Sequence, residues 1–413
     1  MRVLIVADNI DFQTSSGAKA NWAFARSLAF NNRNKVKVLH YSLKDLSSSV
    51  MELVEIKENR RGFYFYSSRL QRVIRRNFGI DLPKYINKYS GFDHTFKNDV
   101  QSIVSYITKE NPSKYDLLIT LSQGAQFMSH AAVLKRQEWH HKWLAYMHDP
   151  FPMCWYPEPY NWVEPGYKKK KHFIISVANK AKCIGYPSKR LADWMGQFEN
   201  AFKAKSIILR HQSIEVKNSL KNQQAYFSEN KFVVLHSGNL LKQRDPFPLI
   251  EAWTNFLKNN PNASDNAKLV FLGNGEYHEP ELSEMCSKYS ILRISKNIDY
   301  EIARQLESRS TINVILEAKA EISPFLPAKF TGLVLANKII LHLGPKNSEV
   351  LDILGSSYEW HSSAGNVAAI CDCLSKLYDK WKKGNSLTLD RNDILKEISP
   401  EKLNKMIYKS IGK

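Results

Sequence analysis

In the second half of the chain an apolar run passes into His236-Ser237-Gly238-Asn239-Leu240-Leu241-Lys242-Gln243-Arg244-Asp245-Pro246. A strand ending in a glycine-containing loop, with a cation just ahead of a capped helix, suits a diphosphate, because backbone N–H groups, the positive helix end and a guanidinium fork can all meet it. Gly238, Asn239 and Arg244 are therefore candidate phosphate binders, with a solvated loop charge as the plain alternative for Arg244. Further on, Ser323-Pro324-Phe325-Leu326-Pro327-Ala328-Lys329-Phe330 places Lys329 in the first turn of a predicted helix. A cation is electrostatically misplaced there unless an anion shares the site. Gly344-Pro345-Lys346-Asn347-Ser348-Glu349 repeats that logic more weakly.

Leu269-Val270-Phe271-Leu272-Gly273-Asn274-Gly275-Glu276 runs a strand into Gly-x-Gly. As a dinucleotide fingerprint it is incomplete, since His278 stands where the third glycine belongs, and a tight strand-to-helix turn at Gly273 and Gly275 is the better reading. In the first half, Trp143 to Met147 ends at His148-Asp149-Pro150-Phe151-Pro152, followed by Trp155, Tyr156, Tyr160 and Trp162. A His-Asp pair at a strand's carboxyl end, rimmed by aromatic faces, fits a carbohydrate-facing wall. The alternative is a buried histidine beside an aspartate that caps a turn.

Other chemistries are excluded by what is missing. There is no G-x-x-x-x-G-K-[ST], H-E-x-x-H, G-x-S-x-G or EF-hand pattern. No D-x-D occurs, which removes the paired carboxylates by which many sugar-nucleotide enzymes hold a divalent metal. Histidines 130, 140, 141 and 148 crowd one region without metal-ligand spacing, so no metal site is expected. Five scattered cysteines, an odd number without C-x-x-C, read as reduced thiols.

The elements that must position these residues follow from length and pattern. At 413 residues, 43% hydrophobic and 24% charged, the chain has material for two globular domains. In the first half, strand-like runs at Arg2 to Ala7, Val36 to Tyr41, Asp116 to Leu121, Trp143 to Met147, Cys183 to Tyr186 and Ile207 to Leu209 alternate with helical patterns. One of these helices follows Ser188 and carries Leu191, Trp194, Met195 and Phe198 on one face. A second α/β series starts at Lys231 and runs to Leu354, with Asp245-Pro246 as a helix start. The fold expected is α/β with two tandem doubly wound, Rossmann-like domains facing a central cleft. Their bounds are 1–210, a polar linker at 211–230, 231–395, and a C-terminal helix over 396–413 (Leu403, Met406, Ile407, Ile411) that crosses back to the first domain.

The net charge of +19 is lopsided: +16 falls on residues 1–210 and +3 on the rest. Such a bias favours a polyanion. The richest stretch, Lys57 to Arg76, interleaves Arg60, Arg61, Arg69, Arg72, Arg75 and Arg76 with Phe63, Tyr64, Phe65 and Tyr66, and Lys168 to Lys171 adds a second run. With no ribonucleoprotein motif or zinc finger, an anionic membrane surface is preferred to nucleic acid. No stretch approaches the roughly 18 apolar residues of a membrane span, and the start is too short for a signal-peptide core, so a cytoplasmic, peripheral protein is expected.

Together these segments resemble the retaining, metal-independent glycosyltransferases of the GT-B fold, in particular the group 1 (family 4) enzymes that build bacterial polysaccharides. The resemblance spans nearly the whole chain. It is carried by the opening strand with its Gly17 loop, His148-Asp149-Pro150, Ser237-Gly238-Asn239-Leu240 with Arg244, Leu272-Gly273-Asn274-Gly275, and Pro327-Ala328-Lys329-Phe330 with Asn337-Lys338-Ile339-Ile340. It implies a nucleotide-sugar side in the second domain. Arg244 matches the family's phosphate-binding cation, Asn239 stands where an arginine is common, and Lys329 supplies the missing charge. His148, with Asp149 beside it, matches a histidine placed against the donor sugar, and Gly17 a loop near the diphosphate and acceptor.

The departure concerns the family's two paired glutamates, separated by seven residues, whose positions hold Pro324 and Gly332. Glu317 and Glu321 lie nearby as substitutes. The function implied is transfer of a sugar from a UDP- or GDP-sugar to a glycan or lipid-linked glycan, with retention and without a cofactor. A sugar-nucleotide 2-epimerase of the same fold and a non-catalytic partner subunit remain as alternatives.

Overall fold

The computed structural model describes residues 1–30, 34–213, 230–289, 291–294 and 298–412. The expected linker over 211–230 therefore lies almost wholly outside the described residues. The chain divides into two compact units, one built from residues 1–156, 160–213 and 397–412, the other from 157–159 and 230–396.

The first unit is a parallel sheet of β1 (Arg2–Ala7), β2 (Lys35–His40), β3 (Glu52–Glu55), β4 (Leu117–Leu121), β5 (Trp143–Tyr146), β6 (Cys183–Tyr186) and β7 (Ser206–Ile208). Their order is β3-β2-β1-β4-β5-β6-β7. Helices α1 (Ser16–Leu28), α2 (Phe63–Phe78), α3 (Leu82–Ser90), α4 (His94–Ile107), α5 (Met128–Leu134), α6 (Tyr167–Lys180) and α7 (Lys189–Gly196) connect the strands. Because strand side chains alternate in direction, Leu4 and Val6 face one layer with Ile103, Trp139 and Trp143, while Val3 and Ile5 face the other with Phe24 and Leu28. Each such fully buried side chain contributes about 1.5–3 kcal/mol over its exposed state.

Local signals explain the helix starts. Ser15 Oγ accepts from Ala18 N at 3.1 Å and from Gln123 Nε2 at 2.8 Å, so α1 begins two residues before the expected Ala18. Ser188 caps α7 as anticipated, with Leu191 N donating at 2.9 Å. Phe198 lies beyond that helix and stacks on Trp155 at 4.5 Å. The C-terminal helix Pro400–Ser410 belongs to this unit: Leu403 and Ile407 join the core beside Phe24, and Asn404 Nδ2 donates to Ser27 O at 3.0 Å.

The second unit orders its main sheet β10-β9-β8-β11-β13-β15. These are β8 (Phe232–Ser237), β9 (Ala267–Leu272), β10 (Leu292–Ile294), β11 (Ile312–Leu316), β13 (Ile339–Leu343) and β15 (His361–Ser362), with β12 (Ile322–Ser323) pairing β14 (Asn347–Ser348) apart from it. The helix expected from Asp245 spans Phe247–Asn259, and the Asp245 carboxylate accepts from Phe247 N at 2.9 Å. In each unit strand order reverses once, between β1 and β4 and between β8 and β11. Such reversals open a crevice at the strands' carboxyl ends, where ligands bind in doubly wound folds.

Candidate active site

At the reversal in the first unit, α1 and the loop after β4 meet. A Cβ on Gly17 would lie 3.4 Å from Gln123 Cγ and 3.7 Å from Gly124 N, so the glycine lets helix and loop approach closely. One turn along α1, buried Asn21 spends both amide hydrogens on the carbonyls of Asn9 and Ser122, each at 3.0 Å. Its Oδ1 therefore accepts, and His148 Nε2 donates to it at 2.7 Å. That bond fixes the neutral tautomer with the proton on Nε2 and leaves Nδ1 an acceptor. Burial, then the neighbouring His211 and His130, push the His148 pKa well below the usual imidazole value. His211 stacks on His148 at 5.4 Å, and Tyr146 meets it edge-on at 4.8 Å.

Asp149 follows half-buried, its charge felt by the phenols of Tyr146 and Tyr156. The expected wall of aromatic faces does not form as one surface. Trp155 is buried and stacked on Phe198, and its carbonyl takes the Trp194 indole N–H at 2.7 Å, whereas Trp162 is exposed. Packing against Phe198 and Trp194 claimed the Trp155 ring.

Sequence reasoning passed over Asp8, the residue after β1. It is buried, Oδ1 accepts from Ser129 N at 2.7 Å, and among the described residues Oδ2 has no hydrogen-bond partner within bonding geometry. Burial raises its pKa to about 7 against the opposing hydrogen bonds. A carboxyl closing an apolar strand at the reversal was the available signal.

In the second unit the reversal gathers Ser237, Gly238, Lys329 and Arg244. Lys329 Nζ donates to Ser237 O at 2.9 Å and to Val314 O at 3.4 Å, bridging the end of β8 and the middle of β11. A Cβ on Gly238 would lie 3.6 Å from that nitrogen. Burial, then the positive charge of Arg244, lower the Lys329 pKa to about 7. Arg244 Nε is buried without a hydrogen-bond partner, and among the described residues no carboxylate pairs with either cation. Beneath them His236 is buried, and burial followed by the charges of Lys329 and Arg244 keeps it neutral.

The remaining loop residues have structural work. Gly273, at φ +128°, presses on the first loop: a Cβ there would fall 2.6 Å from Gly238 O. Asn239 Oδ1 accepts from Asn274 N at 3.1 Å, tying the two loops together. Gly275 makes room for Leu282, whose Cδ2 would be 2.8 Å from an added Cβ.

No family profile and no characterised protein matches the sequence. Solved structures do match its fold. HepE from Anabaena, in complex with UDP and glucose, aligns over 100% of this chain and 99% of its own with TM-score 0.62 and 12% identity. An α,α-trehalose-phosphate synthase (UDP-forming) from Burkholderia xenovorans, in complex with glucose-6-phosphate, aligns over 100% of both chains with TM-score 0.64 and 8% identity. The chain has the GT-B fold.

Within this GT-B chain Gly332, one of the two positions without glutamate, has definite neighbours. Gly332 lies in the helix Lys329–Leu335, where a Cβ would fall 2.4 Å from Arg304 Nη1 and 2.8 Å from its Cζ. Arg304 pairs with Glu307, and Glu307 Oε1 accepts from Ser237 Oγ at 2.5 Å. A guanidinium thus fills the space over Gly332, backed by a carboxylate that steadies the β8 loop.

Of the two nearby acids, Glu317 is buried and fully engaged, accepting from His342 Nε2, Ser348 Oγ and Ser323 Oγ, each at 2.7 Å. Burial alone would raise its pKa, but these donors hold it below the usual carboxylate range. Glu321 is exposed, and among the described residues it forms no ion pair. Arg304 and Glu307 were missed because neither stands in a glycine loop or near a motif; their role exists only through contacts with Gly332 and Ser237.

Proposed function

We propose that the chain is a hexosyltransferase that moves a sugar from a nucleoside-diphosphate sugar, a UDP-sugar before a GDP-sugar, to a glycan or lipid-linked glycan. The reading rests on one observation: Lys329 and Arg244 stand together beside the carboxyl end of β8, and among the described residues neither forms an ion pair with a carboxylate. Two cations with spare donor capacity beside the positive-φ Gly238 suit a diphosphate. The bound UDP of HepE and the UDP-forming activity named for the Burkholderia synthase support a uridine donor.

As the nucleoside diphosphate departs, negative charge builds on its terminal phosphate. Protonated Lys329 and the Arg244 fork stabilise that charge more than the ground state, which lowers the barrier without a metal. Neutral His148, donating Nε2–H to Asn21, keeps Nδ1 as an acceptor for a sugar hydroxyl, and Asp149 lies beside it. With no carboxylate nucleophile assigned, attack on the donor's own face gives retention. A membrane-presented acceptor and a peripheral, cytoplasmic setting complete the proposal.

A second reading is favoured by Pro324 and by the Arg304 guanidinium over Gly332: a partner subunit of a glycan-assembly complex that no longer turns over. Thermal-shift curves with UDP, GDP, ADP, NAD and a short oligonucleotide separate the two, since a ligand selective for the folded state raises the midpoint. A shift with UDP that Arg244→Ala abolishes supports transfer. No shift with any nucleoside diphosphate overturns it in favour of the partner subunit.

A further inference from the structure

Helix α2 inverts the usual polarity of a surface helix. Its buried residues are the polar Ser68 and Gln71, and hydrogen bonds hold it in place: Ser67 Oγ lies 2.5 Å and Gln71 Nε2 3.1 Å from His94 Nδ1 on α4. Tyr64 meets the His94 ring at 5.5 Å and Phe63 touches its edge at 5.4 Å, but four apolar residues are left largely open. Phe63, Tyr66, Leu70 and Val73 stand at i, i+3, i+7 and i+10, one narrow helical face. They are 72%, 65%, 59% and 52% exposed. In a water-soluble protein that stripe would be turned to the core.

Acids are missing from this helix, and of its exposed arginines Arg76 flanks the stripe while Arg72 and Arg75 lie on the opposite side. Arg72, Arg75 and Arg76 are exposed along the same helix, and neither α2 nor α3 contains an aspartate or glutamate. On α3, exposed Tyr85 and Tyr89 lie at i and i+4 next to Lys84 and Lys88. The end of α3 reaches the second basic run, for a Cβ on Gly91 would lie 2.7 Å from Lys169 Cβ on α6.

An anionic bilayer offers what this face lacks: apolar depth for the aromatic and aliphatic side chains, and headgroup phosphates for the flanking cations. Single-stranded nucleic acid would use stacking, which Leu70 and Val73 cannot supply. We infer that α2 and α3 dock the chain on an anionic lipid bilayer, with Phe63, Tyr66, Leu70 and Val73 at the headgroup–acyl boundary and Arg76, Lys84 and Lys88 on the phosphates. The inference deepens the proposed membrane-presented acceptor, yet it rests on this face alone, and its test reads lipid binding without turnover.

The test is sedimentation of the full chain with vesicles of equimolar phosphatidylcholine and phosphatidylglycerol, against phosphatidylcholine alone. The wild-type chain is expected to sediment with the anionic vesicles only. The double variant Leu70→Asp, Val73→Asp should bind at least about tenfold more weakly, and Arg76→Glu, Lys84→Glu likewise. All four positions are solvent-exposed, so circular dichroism and the thermal midpoint should stay unchanged. Undiminished vesicle binding by the Leu70→Asp, Val73→Asp variant overturns the inference. So does a wild-type chain that ignores anionic vesicles, whether or not it dimerises or binds an oligonucleotide through the same residues.

Discussion

Asn21 Oδ1 accepts the Nε2 hydrogen of His148 at 2.7 Å, joining residues 127 positions apart. Because both Asn21 amide hydrogens are held by backbone carbonyls, the bond sets which imidazole nitrogen carries the proton. Asn21→Asp replaces a neutral acceptor with a charge and should raise the His148 pKa by at least about one unit. An NMR titration of the imidazole checks this; an unchanged midpoint would mean that the bond does not control the ring. Should turnover be established, His148→Ala is expected to lower kcat roughly 100-fold or more through lost donor positioning.

Lys329 carries a testable proton. With a pKa near 7 in the free protein, its amine is mostly neutral at pH 8. A bound diphosphate favours the charged form and raises that pKa, so binding takes up a proton. UDP binding at pH 8, measured calorimetrically in buffers of different ionisation enthalpy, should show uptake of roughly half a proton or more, and Lys329→Met should abolish it. Enthalpies independent of buffer would count against Lys329 as the phosphate ligand.

Asp8 makes stability depend on pH in the opposite sense to an ion-paired carboxylate. Its folded pKa of about 7 exceeds the ordinary 3.8, so between those values the unfolded chain has released a proton that the folded chain still holds. Stability therefore falls as pH rises from about 4 to about 7, by up to roughly 4 kcal/mol from this group, and then levels off. Asp8→Asn resembles the protonated acid. It should match the wild type near pH 4 and exceed it above pH 7 in urea melts; equal stabilities at both ends would refute the buried-acid account.

Gly332 tests how firmly Arg304 is seated. Gly332→Glu drives a side chain into the guanidinium and breaks its pairing with buried Glu307, at an expected cost of about 2–3 kcal/mol. Arg304→Ala in the same chain should relieve part of that cost, a non-additivity readable from thermal melts of the double-mutant cycle. Additive losses would show that the two residues do not compete for the same space.

Much of this was legible in the linear sequence because it is encoded locally. Apolar β-branched runs between polar turns mark strands wherever they form, so β1, β4, β6 and β8 emerge to within a residue or two. Ser188 caps α7 by reaching only three residues ahead. Gly238 and Gly273 announce loops whose positive φ costs other residues energy. Charged Glu52–Glu55 carries no apolar run and stayed hidden as a strand until β2 paired with it. Arginines 60 to 76 read as a basic stretch, without the helix that places Arg76 beside the apolar stripe and Arg72 and Arg75 opposite it.

What only the tertiary structure decided are the partnerships between distant residues. Composition cannot tell that Trp155 spends its face on Phe198, that Asn239 ties a neighbouring loop, or that Glu317 is consumed by His342, Ser323 and Ser348. Nor does periodicity say which side of α2 meets the protein: a stripe of Phe63, Tyr66, Leu70 and Val73 looks the same whether it faces a core or water. The physical reason is that local conformation depends on neighbours in sequence, whereas burial, proton affinity and hydrogen-bond partnership depend on whatever the fold brings alongside. The chemistry-bearing residue types were set by sequence; the tautomer of His148, the lowered pKa of Lys329 and the seat of Arg304 were set by packing.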